Sequence, residues 1–189
     1  MGQVATVSVQ EVIGALRRAG ATVPDAYFLC TAQHESGFDA QAIASEPNGT
    51  RSLGLYQISE ASGYPDLLTL DGNTRAMVEI TERNRLEIRE AAGLGIYDPD
   101  PWDMGAYLSV AHNQGLGAAL ETIEEYGMDW EAYAARNGEV VKPGFDGPRI
   151  VQRGWDCLYA AAPGASAGWS LMGGLLGVFV AAGIAVVLR

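Results

Sequence analysis

The feature that most constrains this chain is an uninterrupted apolar run close to its C-terminus. Residues 168–188 carry no charged side chain, Trp169 stands near the start of the run, and Arg189 follows it. A helix needs about 20 apolar residues to cross the hydrocarbon core of a bilayer, and aromatic residues favour its interfaces. The sequence therefore predicts a transmembrane helix over 168–188, preceded by a linker over 161–167 and a domain over 1–160.

The predicted membrane helix also carries a stripe of small residues at every fourth position. Small side chains allow a second helix to approach closely, so the stripe predicts homo- or hetero-association within the membrane. The alternative is that Gly and Ala are simply frequent in this segment, and the sequence leaves both interpretations open. The stripe consists of Gly173, Gly177, Ala181 and Ala185.

The charge balance limits the partners of the domain. The chain has 12 Lys and Arg against 23 Asp and Glu, so its net charge is −11. Such a surface repels phosphate, and we therefore expect no nucleic-acid partner. A neutral or mixed-charge polymer such as a glycan is compatible with this charge. The first residues lack the charged and apolar segments of a signal peptide, so none is expected.

Local signals predict a mainly α domain. Ser8 and Glu11 form a capping box for a helix that ends at Gly20, and a second helix is expected from Pro24 to about Glu35. The turn signals in 39–73 predict an irregular segment with room for a short strand or hairpin. Further helices are expected from Asn73 to about residue 92 and over 103–113, 116–126, 129–137 and 148–160.

The two cysteines and two histidines carry weaker signals. Cys30 and Cys157 fall in predicted helices, and we favour two buried free thiols over a disulfide between them. His34 and His112 have no third ligand nearby in the sequence, so we predict neither a metal site nor a cofactor.

Three short motifs carry the chemistry. They are Glu35-Ser36-Gly37, Gly54-Leu55-Tyr56-Gln57-Ile58 and Ala111-His112-Asn113. A carboxylic acid at the end of an apolar helix, away from cations, favours its protonated form and can act as a general acid. In this order the motifs resemble those of the lysozyme-like family of lytic transglycosylases (goose-type and SLT-type). The resemblance implies a lysozyme-like helical fold with a short β segment.

The resemblance also assigns roles to individual residues. Glu35 takes the place of the catalytic acid, and Ser36 that of a serine beside the reacting sugar. Gln57 and Asn113 resemble amides that hold the glycan, although either could instead stabilise a loop. Two residues depart from the family pattern. Tyr56 replaces the usual Met and is expected to stack on a sugar, and His112 replaces a Tyr as polar lining of the cleft.

The implied reaction uses one carboxyl group twice. Glu35 would protonate the oxygen between N-acetylmuramic acid and N-acetylglucosamine, and then take a proton from the 6-hydroxyl to leave a 1,6-anhydro product. A goose-type lysozyme would instead hydrolyse the bond with a second acid. Asp39 and Glu46 are the candidates, and neither lies in a recognisable motif. A lysozyme-like membrane structural protein without activity is the third possibility.

The expected partners are peptidoglycan strands and a lipid membrane contacted through 168–188. A C-terminal anchor without a signal peptide leaves open how the domain reaches the cell wall. We therefore predict a bacteriophage enzyme in the virion membrane that breaches the wall during infection or lysis. Its alternative is a location in the envelope of the host cell.

Overall fold

The protein is mainly helical with one small antiparallel sheet. The computed structural model describes residues 6–95, 97–101, 103–140 and 145–161, with side chains up to residue 157. The prediction of a mainly α fold with a short β segment is confirmed. The elements are α1 (Val9–Ala19), α2 (Asp25–Ser36), β1 (Ile43–Ser45), β2 (Arg51–Leu53), β3 (Ile58–Ser59), a 3-10 turn (Glu60–Ser62), α3 (Leu70–Ala91), α4 (Met104–Gln114), α5 (Leu116–Tyr126), α6 (Trp130–Ala135) and α7 (Gly147–Ala161).

The predicted membrane helix over 168–188, its small-residue stripe and all but the first residue of the predicted linker lie outside the described residues. Within the part of the chain that the structure describes, no helix is long and apolar enough to span a bilayer.

The first helix begins and ends where its sequence predicts. The Ser8 hydroxyl accepts a hydrogen bond from the Glu11 backbone N–H, and the Glu11 carboxylate accepts one from the Ser8 backbone N–H at 2.7 Å. This reciprocal pair satisfies two backbone donors that the first helical turn leaves without partners. Gly20 ends the helix in the left-handed conformation.

The predicted start of α3 at Asn73 is wrong by one turn, since the helix begins at Leu70. Asp71-Gly72 is one of the turn signals in the predicted irregular segment over 39–73, but both residues lie in the first turn of this helix. The Thr69 hydroxyl caps the helix by accepting a hydrogen bond from the Gly72 N–H at 3.1 Å. Asp-Gly is a stronger sequence signal for a turn than a threonine is for a helix N-cap, so the sequence predicts a turn here.

The three strands pair in the order β1-β2-β3, and the second motif forms the connection between β2 and β3. The buried side-chain amide of Asn73 in α3 holds this connection in place through hydrogen bonds. Its nitrogen donates to the carbonyls of Leu53 and Leu67, each at 2.8 Å, and its oxygen accepts from the Tyr56 N–H at 2.8 Å. Gly54 has a φ of +73°, and a Cβ there would overlap the Asn73 side chain, so only glycine fits.

A disulfide joins the two cysteines, so the preferred prediction of free thiols is wrong. Cys30 on α2 and Cys157 on α7 are bonded, with their Cα atoms 5.5 Å apart. The two residues are separated by 127 positions, and nothing local to either one indicates the other. Only the packing of α7 against α2 brings them together.

The helix α7 sits close to the aromatic core. Gly154 faces the buried indole of Trp130, and a Cβ at this position would overlap the ring. Trp130 in turn packs against Tyr107 and Tyr133, with ring centroids 5.7 and 4.8 Å away. A glycine on α7 therefore sets the distance of the helix from the core.

Substituting Gly154→Ala should lower the free energy of unfolding by about 1–3 kcal/mol, because the added methyl group overpacks a rigid core. Thermal unfolding followed by circular dichroism measures the change. Gly117→Ala in α5 is the matched control, since nothing lies within 4 Å of that site. The control should be neutral or gain about 0.5 kcal/mol. Equal effects of the two variants would contradict the close approach of α7.

Candidate active site

Glu35 lies at the C-terminal end of α2, where Gly37 ends the helix in the left-handed conformation. Its side chain is 14% exposed and lines a small pocket between α2, α4 and α7. The pocket therefore joins the first and third motifs with the last described helix. Its described lining consists of Thr31, His34, Glu35, Ser109, His112, Asn113, Arg153 and Cys157.

Ser36 fastens the first motif to the second. Its hydroxyl hydrogen-bonds the Leu55 carbonyl at 2.8 Å and the Ala32 carbonyl at 3.3 Å. The serine thus bridges the end of α2 and the β2–β3 connection. This role is structural, and Ser36 does not appear among the described residues that line the pocket.

Gln57 also supports the second motif from within. Its φ is +49°, an uncommon conformation for a residue with a side chain. The side-chain nitrogen donates to the carbonyls of Gly54 at 2.7 Å and Ala42 at 3.3 Å. The amide therefore closes the loop, and Gln57 is not part of the described pocket lining.

The expectation that Tyr56 stacks on a sugar is wrong, because its ring lies in the hydrophobic core. The residue is fully buried and packs edge-to-face against Phe28, with ring centroids 6.3 Å apart. Burial raises the pKa of Tyr56. A tyrosine beside a polar motif looks accessible in the sequence, but the tight turn directs this one inward.

His112 and Asn113 are adjacent on α4, and both line the pocket with Glu35. The His112 Nε2 atom lies 3.7 Å from Glu35 Oε1. Burial lowers the pKa of His112, an effect that Glu35 and the Tyr56 backbone oppose. The imidazole is therefore neutral at pH 7. Asn113 is held by a hydrogen bond from its side-chain nitrogen to the Ser109 carbonyl at 2.9 Å.

Arg153 is the site residue that sequence reasoning missed. Its Nη1 atom lies 2.8 Å from Glu35 Oε1, and the same nitrogen donates to Asn113 Oδ1. The expectation of an acid away from cations is therefore wrong, because the Arg153 guanidinium is paired with the Glu35 carboxylate. One sequence signal could have placed Arg153 next to α2, had the Cys30–Cys157 disulfide been predicted. Arg153 lies four residues before Cys157, on the same face of a helix.

Glu35 is the only carboxylate among the described residues that line this pocket. The two other acids considered from the sequence serve local structure. Asp39 accepts a hydrogen bond from the Gln41 N–H at 2.8 Å, and Glu46 accepts one from the Ser52 hydroxyl within the hairpin.

A further acid lies next to the pocket. Asp156 Oδ2 is 3.1 Å from His34 Nε2, and Asp156 Oδ1 accepts a hydrogen bond from Gln152 at 2.9 Å. The His34 and Asp156 side chains are 31% and 42% exposed. This pair therefore forms a more solvated edge of the site, with both oxygens of the carboxylate engaged.

Comparison with known proteins adds no relative to this picture. Scans of protein-family models, curated proteins and solved structures each give no match to the chain. The functional assignment therefore depends on the motifs and on the geometry of the pocket.

The disulfide beside the pocket should account for a large part of the stability of the domain. Closing a loop of this length restricts the unfolded chain, and loss of such a bond typically costs about 2–5 kcal/mol. Reduction of the full chain should lower its melting temperature by about 5 °C or more. The Cys30→Ala/Cys157→Ala variant should melt at the reduced temperature with or without reductant. A wild-type melting temperature unaffected by reductant would contradict the bond.

Proposed function

We propose that this chain is a peptidoglycan lytic transglycosylase with a lysozyme-like fold and Glu35 as its catalytic acid. The observation that carries the proposal is the position of Glu35 as the lone carboxylate of the described pocket lining, next to His112 and Asn113 of the third motif. The bond from Ser36 to Leu55 adds support, because it joins the second motif to the same structure.

In the proposed reaction Glu35 donates its proton to the glycosidic oxygen, and the bond from that oxygen to C1 of N-acetylmuramic acid breaks. The N-acetylglucosamine side leaves with a free hydroxyl group. The 6-hydroxyl of the muramic acid then bonds to C1, and the Glu35 carboxylate takes its proton. One group thus acts as acid and then as base, Glu35 returns to its starting form, and no water is consumed.

The neutral imidazole of His112 suits a supporting role. It lies within 4 Å of Glu35 without carrying a competing positive charge at pH 7. Because it stands at the family's tyrosine position, we assign to it the orientation of the Glu35 carboxyl group. Asn113 remains the candidate amide for the glycan, since it is the one predicted amide that lines the pocket.

The positions of Asp39 and Glu46 favour the lyase over the hydrolase, and both oxygens of Asp156, the acid next to the pocket, are engaged by His34 and Gln152. Hydrolysis with two carboxylates needs a second one at about 5–9.5 Å across the scissile bond. Asp39 and Glu46 are bonded into local structure and do not appear in the described lining. The structural protein without activity stays as the alternative favoured by one observation, the ion pair of Glu35 with Arg153.

The disulfide bears on where the enzyme acts. Disulfides persist mainly in oxidising surroundings outside the cytoplasm. Cys30–Cys157 therefore supports a domain that works at the cell envelope, where peptidoglycan lies. We propose that residues 168–188 anchor it in a virion membrane, or alternatively in the host envelope. Abundance in host membranes together with absence from purified virions would overturn the virion assignment.

Substituting Glu35→Gln should reduce cleavage of purified peptidoglycan by about 100-fold or more, since an amide cannot supply the proton. The rate is followed as loss of turbidity, and mass spectrometry identifies the products. Wild-type digests should contain 1,6-anhydro ends. Asp39→Asn and Glu46→Gln are the controls and should keep the wild-type rate. Reducing ends without the anhydro form would instead indicate hydrolysis, and an unchanged rate in Glu35→Gln would exclude Glu35 as the acid.

A further inference from the structure

We propose that Arg153 is a specificity-determining residue. It blocks Glu35 in the free protein and leaves it only when a carboxylate-bearing glycan binds. This inference rests on the proposed function and deepens it. Glu35 would thereby become a proton donor only on acidic strands. A neutral glycan of the same linkage would leave the arginine in place and the acid unavailable.

The first observation is that one atom engages both groups that the reaction needs. Arg153 Nη1 contacts the Glu35 carboxylate at 2.8 Å and also donates to Asn113 Oδ1. While these bonds persist, Glu35 Oε1 and the Asn113 oxygen are both occupied. The free site is therefore closed by a single side chain.

The second observation is that the backbone around Arg153 is fixed. The disulfide ties α7 to α2 at Cys157, four residues after Arg153. Gly154 of the same helix packs directly against the Trp130 ring. Separation of the helices would strain both contacts, so the site has to open through rotation of the long Arg153 side chain. That side chain is 13% exposed and lines the pocket, so it is near solvent.

The third observation is the charge balance of the pocket. Among its described lining residues Arg153 is the only one with a permanent positive charge, and His112 is neutral at pH 7. Moving a partly buried guanidinium off its carboxylate is costly unless another anion replaces that partner. A carboxylate of the ligand supplies this anion, with the two parallel hydrogen bonds that arginine favours.

Displacement has a second consequence at Glu35. Once the guanidinium leaves, Glu35 Oε1 loses the hydrogen bond that occupies it and can face the glycosidic oxygen. Binding of the acidic group thus prepares the acid for the proton transfer described above. Recognition and activation are coupled through one side chain.

The substrate class follows from this chemistry. N-Acetylmuramic acid carries a 3-O-lactyl group whose carboxyl is either free or extended by a peptide with its own carboxylates. A polymer of N-acetylglucosamine with the same β-1,4 linkage carries no such group. We therefore assign Arg153 to acidic muramyl strands as opposed to neutral glucosamine strands.

The first test compares cleavage of peptidoglycan strands and of chitin oligosaccharides by the full chain in detergent. Arg153→Gln should raise KM for peptidoglycan about 10-fold and shrink the preference for peptidoglycan over chitin by at least that factor. Its rate on chitin should not fall, because no arginine then occupies Glu35. Arg153→Lys should restore part of the preference.

Arg149→Gln is the matched control, because Arg149 is exposed on the same helix outside the described pocket lining. It should leave KM and the preference for peptidoglycan at wild-type values. An Arg153→Gln enzyme with an unchanged KM and an undiminished preference for peptidoglycan would overturn the proposal.

The second test needs no turnover. In 15N-arginine-labelled full chain, the Nε–Hε resonance of Arg153 should shift on addition of N-acetylmuramic acid, but not with its methyl ester or N-acetylglucosamine. Loss of the resonance in Arg153→Gln assigns it. Equal responses to all three ligands, or no response to the acid, would overturn the inference. A selective shift in a protein that cleaves no glycan would support acid recognition by Arg153 while refuting the proposed function.

Discussion

The packing of α7 against α2, closed by the Cys30–Cys157 disulfide, is the constraint on which the rest of the site depends. It carries Arg153 to Glu35 across 118 positions of sequence. Without this contact the carboxyl group would face only α4 and solvent. Gly154 has no side chain, so α7 can pack directly against Trp130. Arg153 is the next residue of the same helix, so the core contact and the site contact are adjacent on α7. Stability and chemistry are thus coupled through α7.

Some motif side chains stabilise the fold, and others line the pocket. Ser36 and the Gln57 nitrogen are used by backbone carbonyls, and Tyr56 is part of the core. Glu35 and Asn113 are left to face the pocket, where Arg153 engages both. Buried polar groups need partners, and here other groups of the protein supply them. In the described pocket Glu35 and Asn113 are paired within the protein, so a ligand that contacts them would have to replace these internal bonds.

Local signals predicted a large part of the fold. The capping box of α1, the end of α2 near Glu35, the bounds of α4 and α5 within one residue, and the short β segment all agree with the structure. The errors lie at two helix ends and at one buried residue. Asp71 and Gly72 form a turn signal but lie in α3, and α6 ends two residues earlier than predicted, at Ala135. The burial of Tyr56 follows from Phe28, which no pattern around the motif reveals.

The sequence by itself determined the helical character of the domain, the order of the three motifs and the choice of Glu35 as the candidate acid. The helical character depends on residues a few positions apart, whose side chains and backbone interact within one turn. The choice of Glu35 depends on the resemblance of three short motifs, each of which is read directly from the sequence. Only the tertiary structure decided that the cysteines are bonded, that the Tyr56 ring is buried away from any sugar and that Arg153 forms an ion pair with Glu35. Each of these depends on which helix faces meet, and that is set by the packing of the whole core, because no local pattern specifies a partner more than 100 residues away.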